Sequence, residues 1–139
     1  MATFNKFQQF VEDLGLGVHN LNTGTLKVYL SNATPSASLD AVKADLAEIT
    51  AGNGYTAGGE DTLNTYTESS GTGSCVGTDV TWTASGGTIG PFQYVVLYND
   101  TPTSPADPLI GWWDYGSGVT LNAGESFTTD FGATMFTLA

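Results

Sequence analysis

The chain has no arginine, only three lysines, one cysteine and one histidine among its 139 residues. Each shortage excludes something. Against Lys6, Lys27 and Lys43 stand 14 acids, for a net charge of −11. A chain of that sign does not neutralise phosphates, so nucleic acid and anionic membranes are excluded as partners. The single cysteine, Cys75, rules out an intrachain disulfide, so the fold does not depend on an oxidising compartment. One Cys and one His are too few for a zinc site. No apolar run approaches the length of a bilayer span. The first ten residues carry one lysine and no apolar core stretch, which is not the pattern of a secretory signal. Together these features read as a protein made and folded in a cytoplasm.

What is present argues for one folded domain over residues 1–139. A chain this long buries about two thirds of its unfolded surface, enough for a core without staples. Apolar residues make up 40% and aromatics 12%, whereas disordered acidic chains are poor in aromatics. The charge is unevenly placed. Lys6, Lys27 and Lys43 balance Glu12, Asp13 and Asp40, so residues 1–43 are neutral; residues 44–139 hold 11 acids and no base. Such a region is a surface kept soluble by repulsion, or one that steers toward a basic partner.

Periodicity divides the chain. In the segment 1–17, Phe4, Phe7, Phe10 or Val11, and Leu14 recur at steps of three and four, which predicts a helix over 4–14 ended by Gly15 and Gly17. The period then changes to two. Leu26, Val28 and Leu30 alternate with Lys27, Tyr29 and Ser31, which predicts a half-buried strand over 25–31. Leu39, Val42, Leu46 and Ile49 suggest a second short helix, stopped at Gly52 and Gly54. Residues 52–73, rich in Gly, Thr, Ser and Asn, read as a mobile loop region with a weak strand about 63–67. Beyond Val76 every element reads as β, with strands near 79–85, 91–99, 108–115, 118–121, 125–131 and 134–138. Residues 92–100 are apolar on both faces, the mark of a central strand. The fold class is therefore mainly β, a β-sandwich or jelly roll with a short N-terminal helix.

A search for chemistry assigns no catalytic, cofactor-binding or metal-ligating residue. His19 lies in a loop, and a dyad with Cys75 has no local signature. Among 14 acids, chance carboxylate pairs are guaranteed, so none stands out as a glycosidase site. No glycine-rich phosphate loop runs into a lysine. Asn99, Asp100 and Asp107 border a proline-rich loop, and residues 58–61 form a second acidic turn. Neither has the spacing of a calcium loop, and turn capping accounts for both.

The aromatics carry more. Trp112 and Trp113 are adjacent in a predicted strand, so they point to opposite faces. Strict alternation groups Trp113 with Leu109 and Tyr115, and Trp112 with Ile110 and Asp114. Trp113 is expected inside. Trp112 is then exposed, covered by the helix or a loop, or buried against another chain. The candidate interface residues are Phe4, Phe7, Phe10, Trp112, Trp113 and Tyr115.

Three stretches, TLKVYLSNATPSA, VKADLAEITAGNGYTAGG and IGPFQYVVLYNDTPTSPADPLIGWWDYGSGVTLNAGESFTTDF, follow the opening MATFNKFQQFVEDL. Nearly the whole chain resembles small proteins encoded by tailed bacteriophages. It is similar in particular to the β jelly-roll cement, or decoration, proteins of some tailed-phage capsids. The resemblance implies a non-enzymatic virion protein without cofactor, assembled in the bacterial cytoplasm and placed on the phage head surface. It implies the major capsid protein as partner and self-association as a dimer or trimer. The alternative from a different class is a virion carbohydrate- or receptor-binding module that uses its exposed aromatics.

Overall fold

The computed structural model describes residues 2–139, and the fold is mainly β. The chain runs β1 (Phe4–Lys6), α1 (Gln9–Gly15), β2 (Leu26–Ser31), β3 (Glu60–Asp61), β4 (Thr65–Ser69), β5 (Thr72–Val76), β6 (Thr81–Thr83), β7 (Ile89–Asn99), β8 (Leu109–Leu121), β9 (Ser126–Thr128) and β10 (Phe136–Leu138). The main sheet has the order β1-β8-β7-β2-β3. A three-stranded sheet, β10-β5-β4, and a two-stranded one, β6-β9, supply the facing layer. All pairings within the three sheets are antiparallel. The arrangement is a β-sandwich with one short helix.

The pleat explains the inner core. Leu26, Val28 and Leu30 of β2 and Phe92, Val95 and Leu97 of β7 point one way. They meet Cys75 of β5, Trp82 of β6 and Phe136 of β10. The opposite face of the main sheet is buried too. Tyr29, Tyr94, Val96, Tyr98 and Leu109 form a second cluster with Phe7 and Leu46. β7 is the central strand that its two-sided apolar pattern predicts. β2 is not half-buried as the alternation suggests, because Tyr29 on its other face is fully enclosed.

Other expectations need correction. The predicted helix over 4–14 is two elements. Residues 4–6 pair with β8, in the register Phe4↔Trp113, Asn5↔Trp112 and Lys6↔Gly111, and helix begins only at Gln9. A seven-residue helix is too short to hold itself, so the free edge of β8 wins the first residues. Phe4, Phe7, Phe10, Val11 and Leu14 therefore do not make one face. Phe10 enters the inner core, Phe7 the outer cluster, and Val11 is 55% exposed.

The second helix is also absent. Only Lys43–Asp45 winds into a single 3-10 turn. The Asp45 carboxylate accepts from the N–H groups of Ala41 and Val42, at 2.9 and 3.1 Å. Backbone bonds tie the stretch to residues 107–109: Lys43 N–H to Asp107 O and Leu109 N–H to Ala41 O. Leu39, expected on the helical stripe, is 80% exposed.

The strands expected at 108–115 and 118–121 are one strand of 13 residues, β8, running through Gly116 and Gly118. It carries a bulge. Tyr98 pairs with Leu109 but Leu97 pairs with Gly111, so one residue is inserted at Ile110. That insertion inverts the alternation upstream of Trp112. Ile110 joins Trp113 in the inner core, and Leu109 joins Trp112 on the outer face, the reverse of the strict count. Segment 52–73 contains β3, β4 and the start of β5, and buries Tyr55 and Thr62. The weak strand read about 63–67 is β4.

Candidate interaction surface

The six aromatic candidates divide by burial. Phe7, Phe10 and Trp113 are buried by the chain itself, at 0%, 1% and 3% exposure. A partner cannot reach them in the folded chain. Trp113 goes inward as expected and packs at 5.0 Å, ring centre to ring centre, on Phe131. Phe4, Trp112 and Tyr115 are half-buried and keep surface for a partner.

Each of the three is held differently. Phe4 comes from the edge strand β1 and stacks on Phe136 of β10 at 5.0 Å, edge-on to Trp113 at 5.3 Å. Its ring lies across Gly111, where a Cβ would strike it, so glycine is required there. A groove of about 390 Å³ runs between β1 and β10, lined by Phe4, Lys6, Phe10, Phe136 and Leu138. Trp112 lies on the outer face with Phe7 at 4.6 Å, so one side of its ring is covered from within the chain. Tyr115 sits on the inner side of β8, edge-on to Phe127 at 5.0 Å. Trp112 and Tyr115 therefore point to opposite faces of one strand.

Sequence reasoning missed the residues that close the outer face. Residues 32–48 lie over it through Ala33 and Leu46, while Ile49 and Tyr55 of the following stretch turn to the inner core; the whole segment is fixed by polar groups that carry no periodic signal. The Glu48 carboxylate is the hub. It accepts from Tyr55 Oη and Gly58 N–H, both at 2.7 Å, and from Lys43 Nζ at 2.9 Å. Tyr55 Oη accepts in turn from Leu30 N–H at 3.0 Å. Tyr29 donates to Leu46 O and Tyr98 to Gly58 O, at 2.9 and 2.6 Å. Lys43 Nζ stands 4.8 Å above the Tyr29 ring. Burial first, then the Glu48 charge, raises the Tyr29 hydroxyl far above its usual range. Burial likewise raises Tyr55 and Tyr98, so all three remain neutral donors. The signal that was available is the cluster of Tyr on one face of β2 and β7.

The charged groups are sparsely paired. Lys27 bridges Asp100 at 3.0 Å and Lys43 bridges Glu48 at 2.9 Å; among the described residues Lys6 meets no acid at bridging distance. Desolvation, then the neighbouring Asp100, raises the Asp107 carboxyl above the usual range. Hydrogen bonds from Gln93 and from Gly116 N–H lower Asp114. Burial pushes the Cys75 thiol up to about 12, so it stays protonated and unreactive at neutral pH. Among the described residues no three His, Cys, Asp or Glu stand close enough to hold a metal ion. No described helix is long and apolar enough to cross a membrane. Comparison with protein-family models, with curated proteins and with solved structures finds no match.

Proposed function

We propose that this chain is a structural protein of a tailed-phage virion, a cement protein that bridges major capsid protein subunits on the head surface. It assembles there from the host cytoplasm as a dimer or trimer, without catalysis or cofactor. The resemblance of the three quoted stretches motivates the reading. The observation that carries it is the division of the aromatics. Trp113, Phe7 and Phe10 are consumed by the chain's own cores, while Phe4, Trp112 and Tyr115 remain half-buried on the paired strands β1 and β8. Burying the rest of a large aromatic contributes on the order of 3 kcal/mol, and symmetry repeats it in every copy. Exposed ion pairs contribute about 0–1 kcal/mol each, and only three lysines are present to make cationic ones.

A glycan-binding module is the competing reading. A sugar platform needs aromatics on one face, and Trp112 and Tyr115 lie on opposite faces of β8. That geometry favours contacts made separately, with different neighbours. The test is imaging of virions together with their isolated heads. Regular high-copy density on the shell, and heads that rupture more readily without it, support cement. Sparse density at a fibre or tail tip, with glycan binding by the free protein, contradicts it.

A further inference from the structure

The only histidine of the chain is enclosed at one end of the sandwich. His19 follows α1 and is 7% exposed. Its Nδ1 lies 3.1 Å from Asn99 Nδ2, at the end of β7. The orientation of that amide is set from its other side, because Asn99 Oδ1 accepts from Thr101 N–H at 3.1 Å. The NH₂ group must therefore face the ring, and Nδ1 must accept. Neutral His19 then carries its proton on Nε2. Across the ring is α1. Asp13 is 5% exposed, Gln9 Nε2 donates to its Oδ1 at 3.2 Å, and its Oδ2 has no protein partner. Phe10 of the same helix meets the imidazole edge-on at 5.1 Å. Two buried polar pairs, Gln9–Asp13 within the helix and His19–Asn99 between the loop and the central strand, thus lie on either side of the ring with no hydrogen bond joining them, since His19 Nε2 also has no protein partner.

We propose that the buried His19–Asn99 pair, packed against α1 through Phe10, is an acid-sensitive latch that frees α1 from the end of the main sheet when His19 takes a second proton. The proton has one place to go, Nδ1. There it would face the Asn99 NH₂ group, so a donor–acceptor pair becomes two donors, one on a cation. The bond to β7 is lost, and a buried polar group left unpaired is costly. Few other charges act on the ring. From α1 the charged group is Asp13. From β7 it is the neutral Asn99, whose neighbour Asp100 turns to Lys27. From β4 and β10 come Tyr66 and Leu138, which line the same groove as the imidazole.

Burial holds the ring below its ordinary 6.5, against the opposing pull of Asp13. The unfolded or undocked ring therefore binds the proton first. Docking is at full strength above 6.5 and weakens as the pH falls below it.

A single histidine makes the test direct. Its ring nitrogens are followed by NMR, and amide exchange in Gln9–Gly15 is followed over about pH 7.5 to about pH 5, corrected for intrinsic rates. The latch predicts a neutral ring with its proton on Nε2 at the upper end, titrating below 6.5. Protection of α1 then falls by up to about tenfold per pH unit, the slope of one proton, while β7 amides keep theirs. Asn99→Asp sets an acceptor against Nδ1, so it moves the titration above 6.5 and removes the acid-induced loss. A ring protonated on Nδ1, a native titration at or above 6.5, or flat α1 protection overturns the proposal. If Asn99→Asp does not fold, the measurements on the native chain decide it alone.

Discussion

The two faces of the main sheet are built from the same three strands and closed in opposite ways. The inner face of β2, β7 and β8 meets mainly the strands of the facing layer, and its packing is largely apolar and aromatic. The outer face meets residues 32–48, most of them irregular, held by the Tyr29 and Tyr98 hydroxyls and by a Glu48 hub that takes Lys43 and, from the inner core, the Tyr55 hydroxyl. Closure by strands needs only the right period and volume. Closure by a loop needs particular atoms at particular distances. The inner face should therefore fail by loss of volume, and the outer face by loss of single hydrogen bonds.

The largest expected effect is on the inner face. Trp113→Ala removes a ring packed on Phe4 and Phe131, and should cost about 5 kcal/mol in denaturant unfolding, with both faces lost together. Phe7→Ala comes next, at about 3 kcal/mol, because it empties the outer cluster. It should also uncover Trp112 and increase that residue's quenching by iodide. If Phe7→Ala left stability and Trp112 quenching unchanged, the outer cluster would not be a core.

Tyr55→Phe probes the polar hold without emptying either core, because its ring lies beside Trp82 in the inner core and only its hydroxyl reaches Glu48. It deletes a hydroxyl and keeps the ring, so Leu30 N–H loses its acceptor and Glu48 a donor. A cost of about 1–3 kcal/mol is expected. Exchange should speed up in 43–58 while the β5–β10 pairing stays protected. Equal loosening of both layers would contradict the comparison.

The smallest effect is at Asp107, where the carboxyl is raised by desolvation and by Asp100. A carboxyl raised in the fold favours the folded state while protonated, and that advantage is lost as the pH rises through its folded value. Asp107→Asn should therefore give a slight rise in Tm at pH 7 that disappears in acid. Asn is also at ease with the positive φ of 50° found there.

How much of this was legible depends on where the order comes from. β7, the inward alternation of Val80, Trp82 and Ala84, and the burial of Trp113 are written in local period, and they read correctly. The partners of Trp112 and Trp113 did not, because one bulge at Ile110 shifts the parity and leaves no compositional trace beyond Gly111. Strand β1 was hidden by a helical spacing of Phe4, Phe7 and Phe10 that arises from two faces and a turn. The binding of 32–58 was invisible, since Glu48 reaches Tyr55 and Gly58 through side-chain and backbone geometry, not spacing. Of the six candidate interface residues, period alone could not tell the three consumed by the cores from the three left at the surface.

In the proposed cement role, half-exposed aromatics, more than the acidic surface, would hold the protein to the shell. This hold is tested by pelleting decorated heads while salt rises from about 0.1 M to about 1 M, where the Debye length shrinks from roughly 10 Å to roughly 3 Å. The protein is expected to stay with the particles throughout, and Trp112→Ala to release it more readily than Asp100→Asn or Asp107→Asn. Release of the native chain at high salt, with the Trp112→Ala protein still bound at low salt, would contradict this expectation and place the acidic surface at the contact.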